Sequence, residues 1–295
     1  MLHCVAEVPW EHRSRPAREA RVVGELPFMK LSGAGNDFIV LAEEDAADLD
    51  LSWLARRLCT RALSLGADGI IVVGAERSDA ARIRFYNPDG SLAEMCGNGS
   101  RCAARYAVER GLVQGPEFHL LTDSGDLPVM ARPDGRFEVV MPEPEQVRFD
   151  AMTVEAGEEQ WPLHALWVGV PHAVVFVPDV ERHSDEHLTA LGRALRYDDK
   201  HFPAGTNVNF VEVAPDRPIR QRTYERGVEA LTKACGTGAT ATAFVVHTLL
   251  DRPWPVDLVV DGGRLTVDQR DGRLWLIGDA RIIARGTLSP EALAW

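Results

Sequence analysis

The chain carries the same short device twice. "EMCGNGSRC" at residues 94–102 and "KACGTGATA" at residues 233–241 each place a cysteine before Gly-polar-Gly and a run of small residues. No other feature restricts the fold as strongly, because self-similarity of this kind marks a repeated structural unit. Other landmarks recur in the same order: a Gly35-Asn36 turn against Gly169-Val170, a strand start at Asp68 against Asn207, and "IRFYN" against "IRQRTYE". Asp68 precedes Cys96, and Asn207 precedes Cys235, by the same 28 residues. The expectation is a duplicated domain with one cysteine at the same place in each half.

Local patterning agrees. "FMKLSGAGNDFIVLAEE" reads as strand, glycine turn and strand, "LSWLARRLCTRAL" as helix, "GIIVVGA" as a buried strand, and "SRCAARYAVERGL" as a helix ending at Gly111. After the proline- and charge-rich "PEPEQ" at 142–146 the pattern restarts with strands, the helix "HLTALGRALRYD", the buried strand "GTNVNFVEV" and the small-residue helix "ATATAFVVHTLL". The tail is a hairpin series with "DGG" and "RDG" turns. Residues 1–28 show no apolar periodicity and read as a poorly ordered N-terminal extension, followed by domains at 29–145 and 146–279.

A formal net charge of −12 disfavours nucleic acid or an acidic membrane as partner and points to a small molecule. Lys30, Lys200 and Lys233 are the only lysines, few candidates for a Schiff base. The five cysteines form no CxxC pair, and neither Cys96 nor Cys235 has a Cys or His neighbour at metal-ligand spacing. No metal is expected. Reduced thiols, no apolar run of eighteen residues and no signal-peptide pattern predict a cytoplasmic protein.

A thiol at a helix start is acidified by the free N–H groups there, and glycines let those groups approach an anion. Two such units facing one another could invert a stereocentre without a cofactor. One thiolate takes a proton from one face of a carbon, the opposing thiol gives one to the other face, and the backbone N–H groups of Gly97, Asn98, Gly236 and Thr237 hold the substrate carboxylate. The simplest alternative is inert core cysteine, the reading given to Cys4, Cys59 and Cys102; a further one is a non-enzymatic redox or binding protein in which Cys96 and Cys235 form a disulfide.

The segments "KLSGAGNDFIV", "GADGIIVV", "RFYNPDGSLAEMCGNGSRCAARY", "PHAVVFV", "GTNVNFVEV" and "YERG…ACGTGA" together resemble the diaminopimelate epimerase family over roughly residues 29–285. The resemblance implies an α+β fold of two pseudo-symmetric domains, each a mixed, mainly antiparallel sheet wrapped around a central helix. It also implies that a strand at about 280–295 returns to the first domain, that the site lies in the cleft between domains, and that the protein is a homodimer needing no cofactor.

Carried over by position, Cys96 and Cys235 correspond to the acid/base pair, and Asn36, Asn87 and Asn207 to substrate-binding asparagines. Glu225 and Arg226 correspond to the pair that reads the distal ammonium and carboxylate, and His172 to an auxiliary histidine whose alternative is a satisfied core residue. The implied reaction converts L,L- to meso-diaminopimelate in lysine and peptidoglycan precursor biosynthesis. Val170 and Leu231 depart from the family's Asn and Glu, and leave open a same-fold racemase for another amino acid such as histidine.

Overall fold

In the computed structural model, residues 26–93, 96–123 and 125–295 are described, so the expected N-terminal extension lies outside them except for its last three residues. Those three belong to the fold. Strand β1 (Pro27–Gly33) starts ahead of the expected Met29, and Leu26 is buried with its carbonyl accepting from Leu288 N at 2.9 Å.

The first half continues with β2 (Asn36–Ala42), α1 (Glu43–Ala46), α2 (Leu51–Leu58), β3 (Gly69–Arg77), β4 (Ala80–Tyr86), α3 (Gly97–Glu109), β5 (Glu117–Thr122), β6 (Gly125–Ala131) and β7 (Phe137–Met141). The second contains β8 (Glu145–Ala156), β9 (Glu159–Val168), β10 (Val170–Phe176), α4 (Asp185–Arg196), β11 (Asn207–Glu212), β12 (Ile219–Glu225), β13 (Ala230–Thr232), α5 (Gly236–Leu250), β14 (Val256–Val260), β15 (Gly263–Arg270) and β16 (Arg273–Gly278). Strand β17 (Arg281–Thr287) then pairs antiparallel with β1.

Across the ladders the strands run β17, β1, β2, β3, β4, β5, β6, β7, and then β16, β15, β14, β12, β11, β10, β9, β8. The second series mirrors the first. Each half has two parallel steps, β2 with β3 and β4 with β5 in one, β10 with β11 and β12 with β14 in the other. A parallel step needs a crossover, and helices supply all four. In each half one crossover helix, α3 or α5, runs through the inside of the curled sheet, and the other lies outside.

Residue choice explains which helix goes where. Helix α5, GTGATATAFVVHTLL, is small and apolar around most of its circumference, so strands can close around it. Helix α2 is amphipathic instead: Leu51, Leu54, Ala55 and Leu58 bury one stripe against β2, β3, Leu288 and Leu293, while Arg56 and Arg57 face out. Asp50 caps it, its carboxylate accepting from Trp53 N at 3.0 Å. Burial of a side chain such as Leu54, fully enclosed, contributes about 1.5–3 kcal/mol.

Strands β7 and β16 join the halves, with Val139 opposite Leu276. Each strand follows an Asp-Gly-Arg turn, at Asp134-Gly135 and Asp271-Gly272, both glycines at positive φ. The strand registers also correct the equivalences expected from sequence. Ile70 faces Tyr86 as Val208 faces Tyr224, so the partner of Asn207 is Gly69 rather than Asp68. The equal spacing of 28 residues was one residue out of register, and the second half has one extra residue between β12 and its cysteine.

Candidate active site

Cys96 and Cys235 are the N-cap residues of α3 and α5, with φ/ψ of −122°/116° and −122°/112°. The helices begin directly after the cysteines, so the glycines form the first turn rather than a preceding loop. Packing favours them. A Cβ at Gly97 would lie 3.1 Å from Leu276 Cδ2 and one at Gly236 2.7 Å from the same atom, so one leucine fills the space both side chains would need. The Gly236 Cβ would also lie 3.7 Å from Gly97 Cα, so the two helix starts abut. Both positive helix ends therefore meet at one place, an arrangement suited to an anion.

Both cysteines are free thiols, but their partners differ. Cys96 Sγ donates to Asn36 Oδ1 at 3.8 Å, whereas Cys235 Sγ accepts from Gly238 N and contacts Thr237 Oγ1, each at 3.4 Å. Contrary to the acidification expected at a helix start, burial outweighs the amides and pushes the Cys235 thiol up to about 12, reinforced by the Glu225 carboxylate and opposed by Thr237 and Gly238. The Cys96 thiol is also raised by burial and by Glu225, while the Gly99 and Asn98 amides and the Arg101 guanidinium pull it back. Glu225, itself raised by burial, thus acts on both thiols.

The other expected residues are held as follows. Asn36 is held to the site by donating to Asp68 Oδ2 at 2.6 Å. Asn98, 2% exposed, donates from Nδ2 to Ala234 O at 3.1 Å and so bridges the halves beside Cys235. Asn207 Oδ1 accepts from Arg226 N at 2.8 Å, and the Arg226 guanidinium donates to Ala204 O at 2.8 Å. Asn87 is exposed and donates from Nδ2 to Ser91 Oγ at 2.9 Å within its own turn.

His172 is 1% exposed, and burial, with Arg226 nearby, pushes it down to about 3. Its Nδ1 accepts from Asn209 Nδ2 at 3.2 Å, so the proton of the neutral ring sits on Nε2, a buried donor without a partner among the described residues. His172 also lines a cavity of about 270 Å³ with Gln146, Arg148, Trp167 and Phe202, which neither thiol borders. Leu231 packs against the second-half core, and the nearby acid is Glu229, which accepts from Arg196 Nε, Gly227 N and Tyr224 OH. Val170 is the mirror position of Asn36 at its strand start, so Cys235 takes Thr237 where Cys96 takes Asn36.

Several residues in the site were not legible beforehand. Beneath α3 the sheet presents Phe38 and Phe85, close to Gly99; beneath α5 it presents Asn209, whose Oδ1 lies 2.3 Å from where a Gly238 Cβ would stand, backed by Gln221 and Thr223. The second unread feature is Arg101, fully buried on α3. Among the described residues no cluster of three His, Cys, Asp or Glu could hold a metal.

The family model for diaminopimelate epimerase matches residues 28–147 and 164–283. The diaminopimelate epimerase of Aquifex aeolicus is 38% identical over 285 residues, covering 92% of this chain and 100% of that one. That of Methanothrix thermoacetophila is 37% identical over 289 residues, covering 92% and 99%. Among solved structures, a Bacillus anthracis phenazine biosynthesis protein of the PhzF family aligns with TM-score 0.68 at 14% identity over 90% of this chain and 100% of that one. A probable proline racemase from Agrobacterium radiobacter K84 aligns with TM-score 0.63 at 17% identity over 90% and 95%. The folds coincide where the sequences have diverged. With both halves matched by one family model and relatives aligned over nearly their whole length, this chain belongs to the diaminopimelate epimerase family.

Proposed function

We propose that this protein is an isomerase that interconverts L,L- and meso-diaminopimelate, with Cys96 and Cys235 as the acid/base pair. The observation that carries the reading is the abutment of two helix starts, each capped by a cysteine in the same backbone conformation, with one carboxylate acting on both thiols. One thiolate removes the α-proton and becomes a thiol; the opposing thiol protonates the carbanion from the other face and becomes a thiolate. Protons balance, and the enzyme ends in the mirror protonation state, ready for the reverse direction.

In this reading the N–H groups of Gly97, Asn98, Gly236 and Thr237 hold the α-carboxylate, where charge builds during carbanion formation. Asn36 orients the thiol of Cys96, and Asn207 and Arg226 form the distal end with Glu225. The neutral Nε2–H of His172 is an uncharged donor near that end. The reading includes a cytoplasmic homodimer serving lysine and peptidoglycan precursor synthesis. Incubation with L,L-diaminopimelate in D₂O should place deuterium at an α-carbon and yield the meso isomer. Exchange seen with other amino acids but not with this substrate would sink the proposal.

A further inference from the structure

Helix α3 carries a charge that its mirror helix lacks. Arg101 stands five residues after Cys96, and Thr240 stands five residues after Cys235. Both bond the equivalent carbonyl: Arg101 Nη1 donates to Gly97 O at 3.3 Å, and Thr240 Oγ1 donates to Gly236 O at 3.0 Å. One half therefore uses a guanidinium where the other uses a hydroxyl.

The guanidinium is fully buried, and its partners are neutral. Nη2 donates to Asn98 Oδ1 at 3.0 Å and Nε to the backbone carbonyl of Asp279 at 3.2 Å. The Asp279 carboxylate is engaged elsewhere, accepting from Ala34 N and pairing with Arg281. A buried cation bonded, among the described residues, to uncharged oxygens costs free energy to desolvate, and burial accordingly weakens its hold on the proton. A neutral side chain could cap the same carbonyl, as Thr240 does.

We infer that Arg101 is a positioning residue for the two-thiol site: through Gly97 O and Asn98 Oδ1 it holds the first turn of α3 next to Cys96 and aims Asn98 at Ala234 beside Cys235, and it sets a buried cation in one half of a duplicated site where the other half has a hydroxyl. This rests on the acid/base reading of the thiols. The route is short: Arg101 Nη2 fixes Asn98 Oδ1, which turns Asn98 Nδ2 onto Ala234 O at 3.1 Å. Among the described residues, the charged and titratable groups around Arg101 and the cysteines of its helix are Cys96 at the start of α3, Cys102 on it, Glu225 on β12, Cys235 at the start of α5, Asp279 after β16, and Asp37 on β2 with its partners Lys30 and Arg61. Of these, Glu225 opposes charge on both thiols, whereas Arg101 favours it on Cys96.

The test is alkylation by iodoacetamide across pH in the substrate-free protein, with the Cys96 and Cys235 peptides read separately by mass spectrometry. In Arg101→Gln, which keeps an N–H donor but not the charge, the Cys96 midpoint should rise while that of Cys235 stays in place. Arg101→Lys should keep the wild-type Cys96 profile. An unmoved Cys96 in a folded Arg101→Gln, or equal movement of both thiols, overturns the inference. If Arg101→Gln does not fold, Arg101→Met is read in its place: a raised Cys96 midpoint with Cys235 unmoved supports the inference, and an unmoved Cys96 overturns it. Absence of turnover on diaminopimelate would remove the proposed function without touching this thiol measurement.

Discussion

His172 gives the most direct check on the interior of the second half. Its ring is enclosed and held neutral, down to about 3, against about 6.5 for a histidine in the unfolded chain. Because the folded value is depressed, the unfolded chain takes up a proton that the folded protein refuses. The stabilisation is complete above pH 6.5 and is lost as pH falls from there toward 3. Well below pH 6.5 each further unit costs about 1.4 kcal/mol, and because the unfolded histidine is already half protonated at pH 6.5, wild type should lose roughly 2 kcal/mol between pH 6.5 and 4.5 that His172→Gln does not. Urea unfolding of both proteins at pH 7.5, 6.5, 5.5 and 4.5 isolates the term, since His164 and the carboxylates cancel in the difference. Parallel curves would show that His172 charges freely in the fold, and the assignment of its proton to Nε2 would fall with it.

Other expectations follow from the same contacts. Cys96→Ala and Cys235→Ala should each lose at least about 10²-fold in turnover while melting within a few degrees of wild type; near-normal turnover in either would end the two-thiol mechanism. Gly238→Ala sets a methyl 2.3 Å from Asn209 Oδ1 and 3.2 Å from Cys235 Sγ, and displacement of the thiol should cost about 10²-fold in kcat, read against an unchanged circular dichroism spectrum. Gly262→Ala puts a Cβ 1.6 Å from Ala34 O, where the β1–β2 turn meets the second half; chemical denaturation should show a loss of at least about 1–3 kcal/mol. Asp68→Ala frees the Asn36 amide, and its effect should appear in kcat/KM rather than in stability if Asn36 works on Cys96.

The duplication was readable because cysteine and glycine are constrained by chemistry and by close approach, so both survive in recognisable positions. The register was not. Asp68 looked like the counterpart of Asn207 only because one residue had been added before Cys235, and strand pairing was needed to see that Gly69 takes that place. The polar floor under α5 was hidden for another reason: Asn209, Gln221 and Thr223 sit in strands where alternation alone reads polar residues as facing water, yet all three are buried and bonded to one another. Arg101 was invisible because a helical arginine is ordinarily solvated. Only the enclosing sheet turns it inward.

Leu276 and its axial partner Val139 give the duplication an evolutionary consequence. Other contacts between the copies, such as Asn98 on Ala234 and Gly262 against Ala34, join one position of each, but Leu276 Cδ2 occupies the space beside Gly97 and Gly236 alike. A change in size there is felt by both jaws at once. Positions 97, 236 and 276 are therefore epistatic: an alanine at either helix start becomes sterically admissible after the leucine shortens, and a larger residue at 276 would spread both helix starts together.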